Sequence, residues 1–144
     1  MAKIACYLIT GATGAIGSAI IPMLIEKKAK AFLLIRGANN EEVQNKFIRL
    51  KQFLGIENID ESIRAIKGDV EEIGLGLSQE DEILVSRNIT HVIHSAGKVK
   101  MNLSIEEARR ASIGSTNNML DFVKKCPNFI KLEFVSTVGV AGKT

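Results

Sequence analysis

Cysteine is nearly missing from this chain: Cys6 and Cys126 are the only two among 144 residues, without paired spacing and without a histidine beside them. That pattern excludes a zinc framework or a disulfide-stapled fold and leaves two buried or bystander thiols, as a reducing cytosol permits. Histidine is equally scarce. His91 and His94 bracket an apolar strand with no cysteine or acidic cluster nearby, so they read as packed, hydrogen-bonded side chains rather than metal ligands. No apolar run reaches the length of a membrane span, and the first ten residues lead into a glycine turn rather than a cleavage site, so a cytoplasmic protein is expected. Charge of one sign is also lacking. A net charge of +3, scattered along the chain, gives no basic patch for nucleic acid. Low-complexity stretches and linkers are absent too, and a 46% hydrophobic content suits one compact domain over residues 1–144.

What is present in quantity is glycine at meaningful places. Thr10-Gly11-Ala12-Thr13-Gly14-Ala15-Ile16-Gly17 follows an apolar run, Ile4 to Ile9, and opens into a segment of helical period. The order is strand, glycine turn, helix. Such a turn lets a backbone approach a pyrophosphate with no side chain in the way and aims helix N–H groups and the helix dipole at the charge. Gly11 is expected to make the turn, Gly14 to admit the phosphates, and Gly17 to let the helix press on the strand. The spacing G-x-x-G-x-x-G differs by one added residue from the G-x-G-x-x-G dinucleotide fingerprint.

Strand-like and helix-like segments then alternate. Helix one is expected over Ile16 to Lys28, with Ile16, Ile20 and Met23 or Leu24 on its inner face and a kink at Pro22. Ala31 to Ile35 reads as a strand buried on both faces. Asn39 or Asn40 caps a helix from Glu41 to Phe53, and Ile63 to Ile66 is strand three. After Gly68-Asp69-Val70 comes a loop with Gly74 and Gly76, then a helix over Gln79 to Ser86 capped by Ser78. Strand four is His91 to His94. Ser104 and Glu107 have capping-box spacing for a helix from Ile105 to about Lys125, stopped before Pro127, and Ile130 to Val135 is strand five. The pattern predicts an α/β fold of Rossmann type, a doubly wound parallel sheet in the order 3-2-1-4-5 that breaks off after strand five. Its ligand is expected at the carboxyl ends of strands one and four.

The residue that ends strand two selects the dinucleotide. An NAD site places an acidic side chain there to accept from the ribose 2'-hydroxyl, but this chain has Arg36, 19 residues beyond Gly17. A guanidinium cannot accept a hydrogen bond and can grip a 2'-phosphate bidentately, which favours NADP over NAD. Small residues, Ser95, Ala96 and Gly97, follow strand four.

The T-G-A-T-G-x-I-G turn resembles the extended short-chain dehydrogenase/reductase superfamily. A narrower resemblance rests on Gly68-Asp69-Val70, on Leu75-Gly76-Leu77-Ser78, on His91-Val92-Ile93-His94-Ser95-Ala96-Gly97-Lys98-Val99, and on Phe134-Val135-Ser136-Thr137. These are similar to the NADP-dependent thioester reductases and fatty acyl-CoA reductases, of the male-sterility type, which reduce an acyl thioester on a carrier protein or coenzyme A to aldehyde or alcohol. The resemblance implies a cofactor site of Thr10, Gly11, Thr13, Gly14, Ala15, Ile16, Gly17, Arg36, Asp69, Val70, Ser95, Ala96, Gly97 and Ser136. Within it, Asp69 would bond the adenine amino group. It also implies that Thr137 hydrogen-bonds the substrate carbonyl as the catalytic hydroxyl.

Three departures accompany the likeness. The family's N-x-x-G-T stands here as Ser112-Ile113-Gly114-Ser115-Thr116, and Gly97 stands where the family has alanine. The family's Tyr-x-x-x-Lys pair does not occur, since the one tyrosine is Tyr7 in strand one. The expectation is therefore the N-terminal cofactor-binding portion of a longer reductase, inactive alone and prone to self-association through an uncovered sheet edge. Two other readings compete: the equivalent portion of a nucleotide-sugar epimerase or dehydratase, and a non-catalytic dinucleotide-binding module. The closing Gly142-Lys143-Thr144 imitates a Walker phosphate loop, but position 137 would have to be glycine and is Thr137.

Overall fold

The computed structural model describes residues 4–59, 61–98, 100 and 102–136, so Val99, Thr137 and the 142–144 run lie outside the described residues. Five strands, β1 (Cys6–Thr10), β2 (Lys30–Ile35), β3 (Ile63–Lys67), β4 (His91–His94) and β5 (Lys131–Phe134), form one parallel sheet in the order β3-β2-β1-β4-β5. Helices α1 (Ala15–Glu26), α2 (Asn40–Phe53) and α3 (Gln79–Asn88) follow β1, β2 and β3 in turn. After β4 the chain enters α4 (Ile105–Arg109), a π-helical turn (Arg110–Gly114) and α5 (Ser115–Val123). The expected strand order and winding are those observed.

Alternation along β2 shows how the sheet divides its core. Phe32 and Leu34 point into a cluster with Leu8, Val85, Ile89, Val92, Met119 and Phe122, which packs α3 and α5 on one face. Ala31, Leu33 and Ile35 point the opposite way, into a cluster with Ile9, Ile21, Leu24, Val43, Phe47 and Leu50 under α1 and α2. Side chains of period two feed both layers, which is why the run reads as continuously apolar. The two thiols, Cys6 and Cys126, are both free and both buried in the first cluster.

Local chemistry sets the helix starts. The Asn39 side chain accepts from the Glu42 amide at 2.9 Å while Glu42 accepts from the Ala38 amide at 2.8 Å. Ser78 accepts from the Asp81 amide, and Ser104 and Glu107 close a reciprocal capping box.

Several expectations meet a different arrangement in the structure. The inner face of α1 is Gly17, Ser18, Ile21 and Leu24, whereas Ile16 and Met23 are more than half exposed. The helix starts at Ala15 and its glycine and serine take the tightest contact, which rotates the apolar stripe by one position. α1 runs on through Pro22, whose ring is exposed. The helix expected over Ile105 to Lys125 holds a π turn, where the Ser115 hydroxyl donates to the Ala111 and Ser112 carbonyls and the Thr116 hydroxyl to Ser112. Hydroxyls that take carbonyls from the ladder loosen it locally. The expected loop around Gly74 and Gly76 is likewise a compact left-handed turn, with Gly74, Leu75 and Gly76 at φ of +65°, +61° and +58°.

Candidate functional site

A cleft of about 630 Å³ opens at the carboxyl ends of β1 to β4, where the winding of the sheet reverses. Its floor is the glycine turn. Gly11 has φ +70°, and a Cβ there would stand 2.7 Å from the backbone of Ser95 and Ala96, so this position requires glycine both for its conformation and for the close approach of the β4 turn. A Cβ at Gly17 would fall 2.2 Å from the Gly11 carbonyl oxygen; α1 thus presses on the turn itself rather than on the strand. Gly14 differs from both. Its φ is −82°, and an added Cβ would meet only the Gly11 carbonyl at 3.3 Å, leaving the space in front of it open.

Gly14 is also the N-cap of α1, with no side chain to cap the helix and no acidic residue in the first turn. The first-turn amides of Ala15, Ile16 and Gly17 have no carbonyl within the helix to bond. A 12-residue helix whose dipole and first amides face a cleft suits an anion.

The β1 and β4 turns are bound together through Thr10. Its hydroxyl shares a 2.7 Å hydrogen bond with His94 Nδ1 and accepts from the Ala96 amide at 3.2 Å, while the Ser95 hydroxyl donates to its carbonyl at 2.7 Å. His94 is 2% exposed and stacks on Phe134, and burial holds its pKa below the ordinary value, so the ring is neutral at physiological pH. His91 shares a hydrogen bond with Thr90 and stacks on Tyr7. Both histidines are packed side chains, as their setting in the sequence indicated. Burial also pushes the Cys126 thiol up to about 11, so it stays protonated and unreactive at neutral pH. Among the described residues no group of three His, Cys, Asp or Glu could hold a metal ion.

On the β3 side, Asp69 opens a short loop. Its Oδ1 accepts from the Glu71 amide at 2.9 Å, and its own amide donates to Leu75 O at 2.8 Å, so the left-handed turn braces this loop from behind. Arg36, with a side chain 64% exposed, brings Nη1 within 4.0 Å of Asp69 Oδ2. So exposed a pair is weak and leaves the guanidinium available. Glu71 spans the cleft, pairing with Lys98 at 2.9 Å and with Arg110 on the π turn at 3.4 Å.

Of the site residues expected from sequence, Thr10, Gly11, Thr13, Gly14, Arg36, Asp69, Val70, Ser95, Ala96 and Gly97 line this one cleft. Ala15, Ile16 and Gly17 stand behind Gly14 in the first turn of α1, and Ser136 is exposed beyond β5, outside the lining. Gly97 has nothing within 4 Å of an added Cβ, so the family's alanine would fit there. The sequence reading missed one wall. Lys46, Arg49, Leu50 and Phe53 of α2 also face the cleft, and Lys46 Nζ donates to the Arg36 carbonyl at 2.7 Å. Their spacing along the helix was the available signal.

Comparison with known proteins agrees with this geometry. The profile of the NAD-binding male sterility protein family matches residues 9–144. The chain belongs to that family. It is 37% identical over 107 residues to the adenylate-forming reductase Nps10 of Heterobasidion annosum, covering 69% of this chain and 10% of that protein. It is 26% identical over 142 residues to the fatty acyl-CoA reductase wat of Drosophila melanogaster, covering 90% of this chain and 27% of the relative. Among solved structures, the terminal R domain of the myxalamid PKS-NRPS pathway superimposes with a TM-score of 0.80 at 26% identity, over 96% of this chain and 36% of that one. The yeast reductase Gre2, solved with NADPH, shares the fold alone, at a TM-score of 0.71 and 14% identity. In each case the chain spans well under half of the relative's own length. The chain thus carries the Rossmann-type fold of this NAD-binding family, and among the described residues no helix is long and apolar enough to cross a membrane.

Proposed function

We propose that this domain binds NADP(H) in preference to NAD(H) and serves the reduction of an acyl thioester, carried by coenzyme A or a carrier protein, to an aldehyde or alcohol. The observation that carries the cofactor preference is that Arg36, Lys46 and Arg49 line one cleft, Lys46 reaching the Arg36 carbonyl, with no acidic side chain at the end of β2 to accept from a ribose hydroxyl. The thioester half rests on the family and on the acyl-CoA and adenylate-forming reductases among its relatives.

In this reading the residues present fit the dinucleotide. Gly14 and the first-turn amides of Ala15, Ile16 and Gly17 receive the pyrophosphate, with Thr13 beside them, and Gly11 admits the close backbone. Arg36, Lys46 and Arg49 hold the 2'-phosphate, Asp69 and Val70 flank the adenine, and Ser95, Ala96 and Gly97 border the nicotinamide ribose. Bound NADPH supplies a hydride. Thr137 and Ser136 are the hydroxyls proposed to orient the substrate carbonyl and hold hydrogen bonds to its developing charge. The proton requires a further general acid, since Tyr7 is committed to β1 and stacked on His91. The chain by itself is therefore expected to bind cofactor without oxidising it.

Calorimetry with both cofactors tests the preference. NADPH should bind at least tenfold more tightly than NADH, and Arg36→Ala should erase most of that ratio, because a hydrogen bond to a charged group contributes about 1.5–3 kcal/mol. Equal affinities that Arg36→Ala leaves unchanged would sink the assignment.

A further inference from the structure

One large side chain at the cleft has no role in the scheme above. Phe53, the last residue of α2, is 79% exposed although the same helix buries Val43, Phe47 and Leu50 against the sheet. It lines the cleft, one helical turn beyond Arg49 and two beyond Lys46, on the helix edge that carries those two cations. What sets this ring apart from other exposed apolar side chains is its place in the cleft lining, where its face is open to a ligand.

The surroundings narrow the chemistry of that partner. The cleft that Phe53 lines also offers Leu50 and Val70 as apolar walls, Asp69 as an acceptor, and the guanidinium and ammonium groups of Arg49 and Lys46. A ligand matching that set is flat, with apolar faces and an amino-bearing edge, and joined to a phosphorylated sugar. We propose that Phe53 is a binding residue for the purine base, stacking on the adenine so that α2 supplies both the base platform and the cations for the phosphate next to it. Stacking costs little conformational entropy, since a phenylalanine orders only two side-chain torsions, and it leaves the base edge free for Asp69. The inference rests on the dinucleotide reading above and adds a contact to it.

Titration of the wild-type chain, Phe53→Ala and Phe53→Trp with NADPH, with adenosine 2',5'-bisphosphate and with reduced nicotinamide mononucleotide separates the two. The expected result is a loss of about tenfold in affinity for NADPH and the bisphosphate in Phe53→Ala, recovery in Phe53→Trp, and no change for the mononucleotide, which lacks the base. An exposed side chain can be truncated without threatening the fold, and equal melting temperatures of the three proteins would confirm that. Undiminished bisphosphate affinity in Phe53→Ala overturns the stacking role while leaving the dinucleotide reading intact. Failure of the wild-type chain to bind either adenine nucleotide overturns both.

Discussion

β2 and β5 belong to one parallel sheet and have opposite surroundings. From Ala31 to Ile35 every residue of β2 is buried, Leu33 completely, because β1 and β3 flank it and helices cover both faces. β5 pairs with β4, and among the described residues it has no neighbour on its other side. Three of its four residues are exposed, Phe134 by half. Lys131 and Glu133 pair with each other on one face, an arrangement suited to an edge. The contrast teaches that strand identity follows from place in the winding more than from composition. β1 to β3 end in the cleft, while Ser136 follows β5 and lies outside the lining.

Core truncation tests this contrast most strongly. Leu33→Ala should lower unfolding free energy by about 2–5 kcal/mol, the usual range for a fully buried leucine. Leu132→Ala, at the one half-buried position of β5, should lose much less, and equal denaturant midpoints for the two variants would mean that β5 is as well covered as β2.

Within the well-held half, the glycines separate fold from ligand. Gly17→Ala drives a methyl into the Gly11 carbonyl and should destabilise by about 1–3 kcal/mol, as overpacking does. Gly14→Val should keep most of the thermal stability and weaken NADPH at least tenfold, since the space it fills lies in front of the helix terminus. A folded Gly14→Val variant of unchanged affinity would show that the phosphates bind elsewhere.

A smaller effect concerns the boundary between the halves, where His94 of β4 meets Thr10 of β1. Burial lowers the His94 pKa, so below its ordinary value of 6.5 the unfolded chain takes up a proton that the native state resists. Stability should be level above that pH and fall as pH drops toward the native pKa. His94→Asn, which can keep a partner for the Thr10 hydroxyl, should flatten this fall in melts recorded between neutral and acid pH. An identical acid slope in the variant would assign the loss to other groups.

Much of the architecture was legible. Apolar runs of strand length, Asn39, Ser78 and Ser104 as caps, and the alternation of elements led to the observed sheet order, because each is a local signal that burial then reinforced. The glycine turn and the β4 turn were legible for the same reason, and the structure brings them to one cleft. Less legible was anything that depends on which way a helix faces. The stripe of α1 shifted because Gly17 and Ser18 took the contact, and the α2 wall of Lys46, Arg49 and Phe53 was not anticipated.

The sequence by itself therefore determined the elements, their order and the residue types at the turns, since these follow from period, capping and the steric freedom of glycine. Tertiary structure alone decided that Leu75 is held buried in a left-handed turn behind Asp69, and that Glu71 reaches Lys98 and Arg110. It likewise decided that an exposed phenylalanine stands beside two cations at the cleft. The Glu71 pairs join residues distant in sequence, and which edge of α2 meets the cleft is set by how the helix packs on the sheet, a property that no local pattern encodes.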